Sequence, residues 1–225
     1  MILTAIFDPA AIINSFFEAS TLTVYLMVFG LMVVESSFIP FPSEVIVPPA
    51  AYLAATSHEV NIVAVVLIAT AGALVGALVN YYLSVWIGRP IVYKFADSKF
   101  GHACLIDRQK VENAERYFDR HGAISTFIGR LIPAVRQLIS IPAGLARMNI
   151  VRFSIFTSLG ALVWNSILAG LGAWLGHIVP REQLFAKVEE YNDYLTYAGI
   201  ALGVLCVIFI VWSALRPRKK ETIIE

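Results

Sequence analysis

The chain has 225 residues, a net charge of +1 and a mean hydropathy of +0.74, and 58% of its residues are hydrophobic. Soluble domains sit near roughly 45–50% apolar, so the excess argues for an integral membrane protein with room for one compact membrane domain and little else. The two cysteines, Cys104 and Cys206, are far apart in sequence and setting, which argues against a disulfide framework or a metal site. Nothing calls for a cofactor or points to nucleic acid. With neither a basic n-region nor a small-residue cleavage site at the N-terminus, no cleavable signal peptide is expected.

In chain order, Asp8 to Phe17 alternates apolar and small residues and is expected to form a short interfacial helix. Ser20 or Thr21 is placed to cap a helix through Val24 to Val34. That run meets Glu35, Pro40, Pro42, Glu44, Pro48 and Pro49, a density of charges and helix breakers that no uninterrupted span tolerates. After a polar link at 56–61, residues 62–87 read as a spanning helix, since about 20 apolar residues cross the hydrocarbon core. Its Gly72 and Gly76 form a GxxxG pair, for which ordinary helix packing is a sufficient account. Asn80, Tyr81 and Tyr82 follow; one of them is a candidate for facing a cavity, while interface anchoring accounts equally well for the tyrosines.

Residues 89–121 are the polar centre of the chain. Asp107 looks like an N-cap, Val111, Ala114 and Phe118 follow at helical spacing, and Gly122 is expected to end the helix. This predicts an amphipathic helix on the cytoplasmic membrane surface. The stretch Phe127 to Met148 is then apolar, yet holds Arg130, Pro133, Arg136 and Pro142. A charge at membrane depth costs at least about 2.5–3.5 kcal/mol, so this segment is expected to enter the membrane, break and turn back inside a protein-lined cavity. Residues 153–175 span, with a polar Asn165 beside Trp164. An acid-rich link at 177–193 leads to a last span at 195–215 and a basic tail.

There is no Lys or Arg before Arg89; seven fall between Arg89 and Arg120, and four close the chain at Arg216, Arg218, Lys219 and Lys220. Basic links mark the cytoplasmic side, so the 89–121 link, Arg147, Arg152 and the C-terminus are expected inside. Residues 122–146 then have cytoplasmic markers at both ends and 21–55 at neither, so each reads as a re-entrant hairpin, one from either face. Were the first hairpin a full span instead, the N-terminus would lie inside.

Two alignments link the halves. Ile39-Pro40 and Pro49-Ala50 match Ile132-Pro133 and Pro142-Ala143 at an offset of 93 residues. Gly72-Ala73-Leu74-Val75 with Trp86 and Gly88 matches Gly160-Ala161-Leu162-Val163 with Trp174 and Gly176 at an offset of 88. The expected fold is therefore an all-α integral membrane protein in one domain, an inverted repeat of re-entrant hairpin plus transmembrane helix. The first repeat covers about 21–88 and the second about 122–176, with an extra C-terminal span. Inverted repeats with broken helices are a transporter architecture whose site lies at the repeat interface.

If the hairpin tips meet, Glu35 and Glu44 face Arg130 and Arg136. Ion pairs that merely hold the tips together are a strong alternative, since intramembrane charges usually pair. Arginine also offers a planar fork of donors suited to phosphate, and helix N-termini at the breaks would add more. A carboxylate held away from water takes up a proton more readily, which makes Glu35 and Glu44 candidates for proton coupling or gating. Arg130 and Arg136 are the candidate phosphate-binding residues, with Pro40, Pro42, Pro133, Pro142 and Gly144 shaping the breaks. The implied partners are an anionic substrate, protons and the membrane; a homodimer is left open. No phosphatase histidine set, paired-aspartate metal motif or Gly-x-Ser-x-Gly elbow supports an enzyme, and His58, His102, His121 and His177 all fall in or near aqueous links.

Glu35-x4-Pro-x-Pro-x-Glu44, Gly129-Arg130-x2-Pro133-x2-Arg136 and Pro142-Ala143-Gly144-x3-Met148 resemble the DedA (SNARE-associated, or VTT-domain) membrane proteins, over roughly Ile13 to Trp212. The resemblance implies re-entrant hairpins in an inverted repeat, and a place in the bacterial cytoplasmic membrane. It implies a flippase-like lipid transporter, most readily of undecaprenyl phosphate, with a phospholipid such as phosphatidylethanolamine as the alternative. It carries functional acidic and arginine positions onto Glu35, Glu44, Arg130 and Arg136. A proton-coupled transporter of ions or small solutes is the runner-up.

Overall fold

The computed structural model describes residues 9–37, 43–57, 59–97 and 108–180, with a few isolated positions between 183 and 197. Among these residues the chain is helical, without strands. Pro40, Pro42, Asp107, the 195–215 span apart from Tyr197, and the basic tail lie outside the described residues.

Helix α1 (Pro9–Glu18) precedes α2 (Thr21–Ser36), which Ser20 caps by accepting from the Thr23 amide. A 3-10 turn at Ser43–Val45 leads into α3 (Val47–Ser57). Pro48 and Pro49 fall in the first turn of α3, where the missing amide would have had no intrahelical partner, so they open this helix rather than interrupt it. Helix α4 (Ile62–Leu83) continues through a π-helical turn at Ser84–Gly88 into α5 (Arg89–Ala96). The spanning helix is thus longer than 62–87. Pro90 cannot sit in an unbroken α-ladder, and the π-turn, in which the Arg89 amide reaches the Ser84 carbonyl, absorbs it.

Helix α6 runs from Arg108 to Arg130 without stopping at Gly122. A side chain there would collide with the Phe118 ring and meet the Met148 sulfur, so this glycine serves close packing instead of a cap. The chain breaks at Leu131–Ile132, makes the single turn α7 (Pro133–Arg136), breaks again, and forms α8 (Ser140–Leu145). Ile139 folds back onto Gly129. Helix α8 closes with two bonds, Met148 N–H to the Ala143 carbonyl and Arg147 N–H to the Gly144 carbonyl, with Arg147 left-handed at φ 51°. That is the bond pattern of a Schellman cap, made without the usual glycine. Helix α9 (Ile150–Ile178) follows.

Asparagines cap both long helices: Asn61 accepts from the Val63 and Ala64 amides, Asn149 from those of Val151 and Arg152. Their separation is the same 88 residues as that of Gly72 and Gly160. Gly72 of α4 packs against the Phe29 carbonyl and Met32 of α2, and Gly160 of α9 against the Phe127 carbonyl and Arg130 of α6. The short helices cross over: α3 packs on α9, where Gly172 meets the Pro48 backbone, and α8 packs on α4, where Gly144 meets the Tyr81 backbone.

Two helices, Ile62–Lys94 and Ile150–Ile178, are long and apolar enough to cross a membrane. Val151, Ile155, Leu159, Val163 and Ile167 form an exposed apolar stripe at four-residue spacing on α9, and Val63, Leu67, Val75, Val79 and Trp86 one along α4. Such stripes are a liability in water and suit lipid, whereas Asn80, Arg130, Arg136 and Asn165 are buried. Polar inside and apolar outside is the arrangement of a membrane protein.

The glycine contacts can be checked in detergent by thermal unfolding. Gly172→Ala would force a Cβ into the Pro48 backbone and is expected to cost about 1–3 kcal/mol. Gly170→Ala, which meets nothing within 4 Å, should leave stability unchanged or raise it by up to about 1 kcal/mol. Equal effects at the two positions would contradict this packing.

Candidate functional site

The two interrupted segments bring their charged side chains to one buried place. Glu35 sits at the end of α2, one residue before the helix stops; Ser43 and Glu44 stand on the 3-10 turn. Arg130 ends α6 and Arg136 ends α7. All five are buried. Arg136 Nη2 donates to Glu35 Oε1 at 2.6 Å and to Ser43 Oγ at 2.6 Å, and lies 3.8 Å from Glu44 Oε1. The other Glu35 oxygen accepts from Ser36 Oγ at 2.7 Å. The Arg136 guanidinium also lies over the Trp164 ring, 5.1 Å from its centroid, a cation–π contact. One arginine thus takes both acidic residues.

Arg130 is held differently. Its Nη2 donates to Ser140 Oγ at 3.0 Å, and among the described residues no carboxylate comes within ion-pair distance of it. Arg130 and Arg136 line one small cavity together with Met32, Glu35, Ser36, Ala73, Ala161, Trp164 and Asn165. Its volume of about 10 Å³ is room for about one water. Asn165 is tied to Thr70 at 3.3 Å.

Of the predicted positions, Glu35, Glu44, Arg130 and Arg136 come together here. Pro133 opens α7 directly after the break at Leu131–Ile132, while Pro142 and Gly144 lie within α8, Gly144 against Tyr81 and Ser84 of the spanning helix. Asn80 is buried, and its Nδ2 donates to the Ser36 carbonyl at 3.2 Å and the Gln137 carbonyl at 3.5 Å, joining the two breaks. Ser43 and Ser140 carry no pattern of their own in the sequence. Trp164 stands out there only as the neighbour of Asn165, because an aromatic in an apolar helix reads as packing.

The arrangement can do two things chemically. It locks the two breaks to one another through a charge pair between residues 101 apart, and it presents to a small cavity a permanent cation with no carboxylate at ion-pair distance among the described residues. Stranding one member of a buried pair costs about 3–5 kcal/mol, whereas removing both can cost little. Glu35→Ala is therefore expected to destabilise the protein in detergent by about that amount, and Glu35→Ala with Arg136→Leu by clearly less. Simple addition of the two single costs in unfolding measurements would show that the pair is not coupled.

A model of the VTT domain matches residues 39–174. The chain is 34% identical over 192 residues to the protein named undecaprenyl phosphate transporter A of Staphylococcus aureus, spanning 85% of this chain and 89% of that one. It is 30% identical over 174 residues to the Bacillus subtilis protein of the same name, spanning 77% of this chain and 79% of that one. It is also 32% identical over 196 residues to a protein named alkaline phosphatase-like protein from Lactococcus lactis subsp. cremoris, spanning 87% of each. No solved structure matches the chain.

Proposed function

The chain belongs to the VTT-domain (DedA) family, and on that footing we propose that it moves a lipid with a phosphate headgroup across the cytoplasmic membrane, Arg130 and Arg136 gripping the phosphate. The observation that carries this is Arg130: buried, always charged, and facing no carboxylate within reach among the described residues. A buried cation with no carboxylate in direct contact is costly, and an anion that reaches it recovers part of that cost. The relatives named as undecaprenyl phosphate transporters make a polyprenyl monophosphate the first candidate, its tail left in the bilayer while the headgroup crosses.

The broken segments are re-entrant hairpins of an inverted repeat in this reading, 21–55 entering from outside and 122–146 from the cytoplasm. The cross-packing of α3 on α9 and α8 on α4 supports it. So does the bond between Ser43 and Arg136: the two correspond under the 93-residue offset, and corresponding residues touch only near a pseudo-twofold axis. The basic 89–121 link and tail favour a cytoplasmic C-terminus.

The state described here is closed, since a cavity of about 10 Å³ cannot hold a phosphate. The headgroup enters by displacing Glu35 from Arg136, which unlocks the two breaks. Two glutamates and two arginines balance without substrate; adding an anion leaves a negative excess, which a proton on Glu35 or Glu44 cancels. Transport coupled to protons follows from that balance.

Translocation of a headgroup-labelled polyprenyl phosphate in proteoliposomes tests the proposal. Arg130→Ala/Arg136→Ala should abolish it, and Glu35→Gln should flatten its dependence on pH. Undiminished translocation by the double variant would end the phosphate-gripping role; translocation of labelled phosphatidylethanolamine or of a small solute instead would reassign the substrate.

A further inference from the structure

Among the described residues, five buried side-chain polar atoms have no hydrogen-bond partner, and three of them are N–H donors: Arg130 Nε, Arg136 Nε and Trp164 Nε1. All three residues line the same cavity. Trp164 is 5% exposed and stands on α9, in the half of the chain that supplies both arginines. Its ring contact with Arg136 is a reason for an aromatic side chain at this position, but not for a nitrogen in the ring. A phenylalanine offers a ring face too, without a buried donor that needs an acceptor. The nearby Asn165 Nδ2 already donates to Thr70 Oγ1. Three of the residues that line the cavity thus carry a buried donor with no acceptor.

We infer that Trp164 Nε1–H joins Arg130 and Arg136 as a third donor to one tetrahedral oxyanion, a phosphate monoester headgroup or free phosphate, and that Trp164 is a specificity-determining residue of this site. The inference rests on the phosphate reading above and adds a residue to it. Three donors from three side chains suit an anion with several equivalent oxygens, which one flat carboxylate satisfies less well. The indole nitrogen is neutral, so it adds direction to the site without adding charge. Because Trp164 also faces Arg136, it keeps the guanidinium in place while Glu35 is away from it. The ring and the nitrogen therefore have separable tasks.

The test uses the full-length protein in detergent with two probes, inorganic phosphate and farnesyl monophosphate. Trp164→Phe keeps the ring and deletes the donor, and is expected to weaken binding about ten- to hundredfold, the range for a lost bond to a charged group. Its unfolding temperature should be unchanged or higher, because the deleted donor has no partner in the closed state. A second protein, with Trp86, Trp174 and Trp212 changed to Phe, leaves Trp164 as the only tryptophan, and its emission should shift saturably with the probe. Binding of farnesyl monophosphate alone assigns the site to a lipid headgroup, and binding of both probes to phosphate as such. Wild-type affinity in Trp164→Phe, or Trp164 emission that ignores a bound probe, overturns the role of Trp164 and leaves the arginine reading standing. If the unaltered protein binds neither probe, both fall together.

Discussion

An arginine cannot shed its charge, and this protein buries two of them in an apolar matrix. The geometry of its centre follows from that constraint. Arg136 is tolerable there because Glu35, Ser43, Glu44 and the face of Trp164 surround it. These partners come from α2, from the turn after it and from α9, so the pair forms only when distant parts of the chain are in place. The desolvation cost of the two ions is large and their attraction roughly repays it. Such a pair adds little net stability, but it makes every alternative arrangement worse.

The helix breaks serve the same centre. Each interruption ends near a charged side chain, and each frees backbone groups that another segment must satisfy. Asn80 does so for both at once, through the Ser36 and Gln137 carbonyls. Close approach does the rest. Gly144 and Gly172 let α8 and α3 settle directly on the backbone of the opposing long helix, so each half is braced by the other. A site assembled at such a seam can change when the halves shift, without either half unfolding.

That placement is what the proposed transport role of the ion pair rests on. Closed, the lock leaves space for about one water and keeps the two breaks joined. A ligand changes such an equilibrium only by as much as it prefers one state. In the proposed reading, a phosphate competing with Glu35 for Arg136, and meeting Arg130 with no carboxylate in contact, has a physical reason to prefer the unlocked state. In that proposal Arg130 supplies attraction in advance and Arg136 the switch.

Much of this was legible in the sequence. The two apolar spans, the breaks at both ends of the chain's middle, and the residues Glu35, Glu44, Arg130 and Arg136 stand out because charges and prolines in apolar runs break membrane rules. The matched asparagine caps at Asn61 and Asn149 were equally available, as a recurrence at the 88-residue offset. Other features were not. Gly122 reads as a helix terminator by local rules, yet α6 passes through it, because the space it saves is taken by Phe118 and Met148. The first span reads as ending at residue 87, yet a π-turn carries the helix on past Pro90. Sequence alone determined which groups are costly to bury, since that cost belongs to each side chain and its immediate neighbours. Only the tertiary structure decided which partner each group takes: Arg136 with both glutamates, Arg130 with Ser140, and Trp164 with the Arg136 guanidinium over its ring and its buried indole N–H unpartnered. The Arg136 pairing joins residues 101 apart, and even Arg130 reaches Ser140 only across two breaks, so closeness in space is not encoded by spacing in sequence.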